Sequence, residues 1–210
     1  MKRISYIAFF ILIVLGCNKS ENKGDINECI SLFRTAESCK QIDKELPCGL
    51  RFGMNMKEMK DHLEELASRD KEVKKKGNHY IYVFKANNNL YECNIIGRPS
   101  GQNPFDSIAP INEFCFVFDN SLVRFVGDKK TFFCDVIDEF KEWNFASCQF
   151  EYTRTKKRNK MWHDYDYTND VYCWASQNLA VILTDYNVLS ITFYNAPITK
   201  PTRELRHIAE

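Results

Sequence analysis

Residues 80–96 read YIYVFKANNNLYECNII, and this stretch decides the class of fold. In its opening positions aromatic side chains alternate with aliphatic ones, and a period of two is typical of a β-strand. The asparagines at 87–89 then supply turn residues, and residues 90–96 carry the returning strand. The stretch therefore predicts an antiparallel hairpin.

The same alternation recurs along the chain. Residues 114–118, FCFVF, predict a third strand, and residues 122–126 are expected to return as a fourth. The longest predicted loop, 97–110, is rich in Pro, Gly, Ser and Asn, and it is one place where a partner would bind. After a helix predicted at 132–143, strands are expected again at 148–152, 162–167, 171–175, 179–184 and 188–194.

The two halves of the chain share a short self-similarity. Tyr82 to Leu90 lines up with Tyr172 to Leu179 when one residue is gapped, at a spacing of about 90 residues. We therefore predict an α+β domain with one antiparallel sheet and helices packed on one face, built from two tandem helix-plus-hairpins repeats. The predicted segments are the two halves, 26–127 and 128–197, and a C-terminal tail, 198–210.

Two amphipathic helices are predicted before the first hairpin. The first lies within 26–42 and has apolar residues at helical spacing: Ile26, Ile30, Phe33 and Ala36. The second, 57–68, has an apolar stripe: Met56, Met59, Leu63 and Leu66. Asn55 and Glu58 have the spacing of a capping box at its start. The basic run 71–76 is expected to be a solvated helix end or loop.

Residues 50–56, LRFGMNM, pass through a Gly-Met turn into the second helix, which leads into hairpins. This pattern resembles the start of the repeat in small exported domains of the SmpA/OmlA and beta-lactamase-inhibitor-protein kind. The resemblance implies a domain that binds another macromolecule, as inhibitor and assembly proteins do.

The first residues of the chain predict export. Lys2 and Arg3 precede an almost wholly apolar run, 4–15, which would rise about 18 Å as a helix, short of the ~30 Å hydrocarbon core of a bilayer. The run is therefore expected to be a signal peptide rather than a membrane span. It ends at residues 14–17, VLGC, which resemble the lipobox of bacterial lipoproteins.

The lipobox resemblance implies a location. Cleavage would remove the signal peptide, 1–16, and Cys17 would become an acylated first residue that binds the protein to the lipid bilayer. Residues 17–25 would hold this cysteine and a polar tether. We expect an exported protein anchored to the bacterial cell envelope, at the outer membrane.

Eight cysteines follow Cys17, and an even number in an exported chain predicts disulfides. Buried thiols are the alternative for the cysteines on predicted strands. Since no pair has Cys-x-x-Cys spacing and the histidines are dispersed, we expect no metal and no cofactor. The eight are Cys29, Cys39, Cys48, Cys93, Cys115, Cys134, Cys148 and Cys173.

The most distinctive predicted surface is a basic hairpin tip in the second half. As a solvated hairpin end it would keep an edge strand soluble. As a binding surface it would contact an anionic partner: lipid headgroups, an acidic envelope polymer or an acidic envelope protein. The formal net charge of +1 gives no reason to expect nucleic acid. The tip consists of Arg154, Lys156, Lys157, Arg158 and Lys160.

Residues that would carry catalysis are few. His163 lies beside Asp164 and Asp166, but strand alternation places the histidine on the face opposite both carboxylates. No phosphate loop, nucleophile elbow or zinc-protease motif occurs in the sequence. We therefore predict no catalytic residue and a non-catalytic envelope module that binds a macromolecule. The alternatives are an immunity or inhibitor lipoprotein acting on a toxin or hydrolase, a structural lipoprotein, and a thiol- or His-dependent hydrolase.

Overall fold

The computed structural model describes residues 26–43, 45–69, 72–100, 107–118, 126–141, 143, 145–156, 165–185 and 188–196, with the backbone alone for 26–29, 37, 126–128, 146–156 and 165–169. The helices are α1 Ile26–Thr35, α2 Met56–Arg69 and α3 Val126–Lys141, with 3₁₀ turns at Ala36–Ser38 and Pro47–Gly49. The strands are β1 Val73–Lys76, β2 His79–Ala86, β3 Asn89–Pro99, β4 Ile111–Phe118, β5 Ala146–Lys156, β6 Tyr165–Ala175, β7 Leu179–Thr184 and β8 Ser190–Asn195.

All eight strands form one antiparallel sheet in the order β1-β2-β3-β4-β8-β7-β6-β5. The predicted α+β class and antiparallel sheet are confirmed. In each half, a helix is followed by four strands that pair in sequence, and the two sets meet where β4 pairs with β8. At this central junction Phe114 lies opposite Phe193, and Phe116 lies opposite Ile191.

The main core lies on one face of the sheet, here called the inner face, which α2 and α3 cover. Strand residues such as Phe116 and Phe193, whose ring centroids are 5.5 Å apart, are fully buried there. Met59 and Leu63 of α2 and Phe140 of α3 pack on the same cluster. The apolar stripe predicted for the second helix is therefore its buried side.

α1 covers the opposite, outer face of the second half. Its Phe33, with Ala36 of the following turn, packs against Cys173 and Ile182, which alternate with the inner-face residues of β6 and β7. The prediction that the helices lie on one face is therefore wrong for α1. Every residue of β7 is buried, and a strand buried on both sides needs a covering layer on each.

The first half also differs from the prediction in its strands. The basic run expected to be a helix end or loop contains β1, which pairs with β2 because Val73 is buried opposite Tyr82 while its lysines face solvent. Val126, the last residue of the predicted fourth strand, begins α3, and residues 122–125 lie outside the described ranges. β3 also extends to Pro99, into the predicted loop, of which 101–106 are likewise not described.

The capping box at the start of α2 is confirmed. The side-chain oxygen of Asn55 accepts hydrogen bonds from the backbone N–H groups of Lys57 and Glu58, at 2.9 and 3.0 Å. In return, the backbone N–H of Asn55 donates to the Glu58 carboxylate at 2.9 Å. These bonds satisfy N–H groups that have no partner inside the helix, so local sequence decides where α2 begins.

Candidate functional site

A cleft of about 520 Å³ opens where the segment before α2 meets the turn between β6 and β7. The Pro47–Gly49 turn shapes its wall, and two successive residues there, Cys48 and Gly49, have positive φ angles of 60° and 65°. The left-handed conformation bends the chain sharply enough to bring both sides of this turn onto one cleft. The lining residues are Glu45, Leu46, Gly49, Leu50, Arg51, Phe52, His62, Asn178 and Leu179.

The floor of the cleft is apolar and belongs to the main core. Leu46, Leu50 and Leu179 are each buried members of the inner-face cluster. Phe52 packs on Phe114 of β4, with ring centroids 5.7 Å apart. Because these residues are held by the sheet beneath them, the floor is preformed rather than dependent on a ligand.

Two polar residues of the cleft are engaged by the backbone. The amide of Asn178 donates to the Ile42 carbonyl at 2.9 Å and accepts from the Ile42 N–H at 2.8 Å. The Nε2 atom of His62 lies 2.8 Å from the carbonyl oxygen of Cys48. A neutral ring that donates from Nε2 has Nδ1 as an acceptor.

The two charged residues of the cleft, Glu45 and Arg51, are exposed side chains on either side of the Pro47–Gly49 turn. Within the described residues, neither side chain forms an ion pair, although several other charged side chains do. The cleft therefore offers a carboxylate and a guanidinium to solvent above an apolar floor. The sequence did not predict this cleft, because its two sides are far apart in the chain. Asn178 and Leu179 meet the segment before α2 only once the sheet has formed.

The outer side of β2, β3 and β4, here called the open face, differs from the outer face of the second half. Apart from the buried Cys115, its apolar members are half-buried or exposed: Ile81, Val83, Leu90, Ile96 and Val117. Ile96 is 41 % exposed and Leu90 is 68 % exposed, whereas Cys173 and Ile182, beneath α1, are fully buried. Thus one half of the outer face is covered and the other presents apolar side chains to solvent.

Charged side chains lie among the apolar residues of the open face, where Glu92 of β3 is opposite Val83 of β2. Lys74 of β1 pairs with Glu92 of β3 at 3.2 Å. Arg98 of β3 pairs with Glu113 of β4, and both residues are partly exposed. A surface that mixes apolar with polar and charged side chains is typical of non-obligate protein interfaces.

The predicted basic tip lies only partly within the described residues. Arg154 and Lys156 belong to β5, where they lie opposite Tyr167 and Tyr165 of β6. Lys157, Arg158 and Lys160 lie outside the described residues, as does Cys17, the predicted lipid attachment site. β5 is at one end of the strand order, so the basic residues in it are on an edge strand.

The residues around His163, which strand alternation places on opposite faces, lie only partly within the described ranges. His163 and Asp164 lie outside them, and Asp166 lies in β6 opposite Thr155. Over the ranges that the structure describes, no three His, Cys, Asp or Glu side chains are arranged to hold a metal ion.

The described cysteines include both a disulfide-bonded residue and thiols. Cys173 is disulfide-bonded, whereas Cys39 and Cys93 are thiols. Cys93 lies in the core, and burial raises the pKa of its thiol far above its usual range. A thiol held in its protonated form is a poor nucleophile. The alternative of a buried thiol on a predicted strand therefore holds for Cys93.

Two buried carboxylates were missed by the sequence reasoning, and both connect elements of the fold. Asp135 of α3 accepts hydrogen bonds from the side chains of Asn87, Asn89 and Tyr91, at the β2–β3 hairpin. Asp185, at the end of β7, pairs with Lys129 at 2.6 Å. The asparagine-rich turn was the one signal in the sequence, because it provides amide donors as well as turn geometry.

Comparison with known proteins does not place the chain in a family, since no family model, curated protein or solved structure matches it. Among the three helices of the described ranges, none combines the length and the apolar character needed to cross a bilayer.

Proposed function

We propose that the chain is a lipid-anchored lipoprotein of the bacterial cell envelope, at the outer membrane, whose folded domain binds another macromolecule without catalysing a reaction. The observation that carries the binding role is the contrast across the outer face of the sheet. Apolar side chains beneath α1 are buried, while those of the open face are accessible. Partner binding would remove the open face from water and so supply the hydrophobic contribution to affinity.

The anchoring role rests on the sequence of residues 1–17, with Cys17 as the acylated residue. Two or more acyl chains would hold the protein stably, because each buried methylene contributes about 0.8 kcal/mol. The polar segment 18–25 would then separate the domain from the bilayer and leave its surfaces accessible. An anionic partner would also contact the basic residues at the end of β5, including Arg154 and Lys156.

We further propose that the two halves derive from duplication of one helix-plus-four-strands unit. In its support, each half contains a helix followed by four strands. Across the sheet, β1 to β4 are followed by the strands of the second half in reverse order, from β8 to β5. The β2–β3 and β6–β7 turns, whose sequences align, are at equivalent positions in the two halves. An experimental structure in which the two units fail to superpose strand for strand would contradict this origin.

The binding role is tested by photo-crosslinking in intact cells. A photoreactive amino acid at Ile96 or Leu90 is expected to form a discrete adduct, and the same probe at exposed Lys60 or Glu139, on the helices, serves as the control. A second substitution, Val83→Asp, should abolish the adduct by placing a charge on the open face. Equal labelling at all four positions, or no adduct at the open face, would refute the proposal.

Anchoring needs a separate test. Cys17→Ser should abolish incorporation of radiolabelled palmitate and move the protein from the membrane to the soluble fraction. Retention at the membrane with no label would show that the lipobox is not used.

A further inference from the structure

The cleft beside the Pro47–Gly49 turn carries two opposite charges that are not neutralised by each other. Glu45 and Arg51 border the same space, and across the described residues neither is joined in an ion pair. Both side chains are exposed and keep their charges available, so a ligand that carries a cationic and an anionic group can form a charge-assisted contact with each. From this geometry we propose that the cleft binds a short zwitterionic peptide, with its ammonium at Glu45 and its carboxylate at Arg51.

The carboxylate end has the stronger geometric preference. A guanidinium presents parallel N–H donors that match the two oxygens of a carboxylate, and such charge-assisted pairs are stronger than neutral hydrogen bonds. Glu45, across the turn, is acceptor-only when ionised and therefore suits the three N–H donors of a peptide ammonium group. A ligand with only one of these charges would pair with either Glu45 or Arg51, and the other residue would remain in contact with water.

The floor determines which side chains the peptide should carry. Leu46, Leu50 and Leu179 form a preformed apolar surface beneath the charged rim. An aliphatic side chain placed there would leave water without disturbing the polar contacts. The peptide should therefore contain leucine-like residues.

The volume limits the length of the peptide. About 520 Å³ corresponds to a cube about 8 Å on edge, and one extended residue spans about 3.5 Å. Two or three residues would fill the cleft, whereas a longer chain would extend beyond it. The proposal is independent of the open face and of lipid anchoring.

The test is isothermal titration of the purified full chain with the tripeptide leucyl-alanyl-leucine. Its N-acetylated form lacks the ammonium, and its C-amidated form lacks the carboxylate. Hexanoate and hexylamine, which each carry one charge on an apolar tail, are run beside it. Each single-charge compound should bind at least about tenfold more weakly than the tripeptide, because each loses one charge-assisted contact.

Two substitutions assign the ends. Arg51→Gln should weaken binding of the tripeptide about tenfold and leave the affinity for the amidated form unchanged. Glu45→Gln should also weaken binding of the tripeptide about tenfold, but it should leave the affinity for the acetylated form unchanged. Arg34→Gln and Glu139→Gln, which change exposed residues elsewhere, are the matched controls.

Three outcomes overturn the proposal. They are no saturable binding of the tripeptide up to about 10 mM, where even a weak site would begin to fill; equal binding of hexanoate; and equal effects of the cleft variants and their controls. Because the modified peptides are tested on the unaltered protein, the conclusion does not depend on the folding of any variant.

Discussion

The hydroxyl of Tyr91, in β3, donates a hydrogen bond to the buried carboxylate of Asp135, which lies 44 positions later in α3. The same carboxylate accepts from the side-chain amides of Asn87 and Asn89, at 3.1 and 2.6 Å. One acidic side chain therefore connects α3, in the second half, to the β2–β3 hairpin, in the first half. This contact links the two halves in addition to the β4–β8 pairing.

Removal of either partner should destabilise the protein. Tyr91→Phe is expected to lower the free energy of unfolding by about 2 kcal/mol, because a hydrogen bond to a charged group is lost. Asp135→Ala should cost about 3 kcal/mol, since several donors lose their acceptor. Urea unfolding measures both, with the exposed Asp138→Ala on the same helix as control. A change in Tyr91→Phe no larger than that of the control would contradict the role of this contact.

Two lysines of α3 each pair with an aspartate, Lys129 with Asp185 and Lys141 with Asp138. The two pairs should differ sharply in their effect on stability. Asp185 is 4 % exposed in its pair with Lys129, whereas Lys141 and Asp138 are 66 % and 46 % exposed. Lys129→Met would leave a buried carboxylate without its cation and should cost about 3 kcal/mol. Lys141→Met should change the free energy of unfolding by less than about 1 kcal/mol. Thermal or urea denaturation would distinguish them, and equal effects would show that burial does not decide the outcome.

A side chain at Gly97 should force the neighbouring side chains to shift. A Cβ atom there would lie 2.7 Å from the sulfur of Met59 and 2.8 Å from Cδ1 of Ile111, between β3 and the helix above it. Gly97→Ala should therefore lower the free energy of unfolding by about 1–3 kcal/mol through overpacking. Asn94→Ala, at an exposed position of the same strand, is the control. If Gly97→Ala is neutral, the side chains of Met59 and Ile111 must be able to shift at low cost.

Alkaline pH should destabilise the protein through Tyr80. Burial, followed by the hydrogen bond to the Glu64 carboxylate, raises the pKa of Tyr80 to about 12. An unfolded tyrosine loses its proton near pH ~10, so above that pH the unfolded chain binds fewer protons than the native one. This contribution to stability is therefore present below about pH 10 and is lost as pH rises towards about 12.

Urea unfolding across this pH range tests the effect. The decline in the free energy of unfolding should be shallower in Tyr80→Phe than in the unaltered protein, because the variant lacks the titrating group. Parallel curves would show that another group is responsible. Tyr91, whose pKa burial and Asp135 also raise, is expected to contribute with the same sign.

The thiols of Cys39 and Cys93 should differ in their reactivity. Cys93 is 2 % exposed, and burial raises its pKa, whereas Cys39 is partly accessible. Iodoacetamide under native conditions should therefore modify Cys39 first, and both cysteines should react after denaturation. Peptide mapping by mass spectrometry measures the two rates. Rapid native modification of Cys93 would show that β3 opens readily.

Short-range patterns in the sequence predicted those parts of the fold that depend on neighbouring residues. The capping box of Asn55 and Glu58 and the alternation that forms β2 and β3 each require only a few adjacent positions. β1 was missed because its pairing depends on one buried residue, Val73. The rest of the strand is lysine, and a run of lysines is expected to be solvated. The outer position of α1 was missed because single-strand periodicity does not show which faces of the sheet will be covered.

The sequence by itself determined the α+β class, the hairpins and the start of α2, because backbone conformation and capping are decided within a few residues. Tertiary structure alone decided the cleft and the buried carboxylates, because their residues meet only after the sheet has assembled. Asn178 binds the backbone of Ile42 across a separation of 136 residues, and no local pattern records such a contact. Where the strands pair therefore decides which side chains can act together.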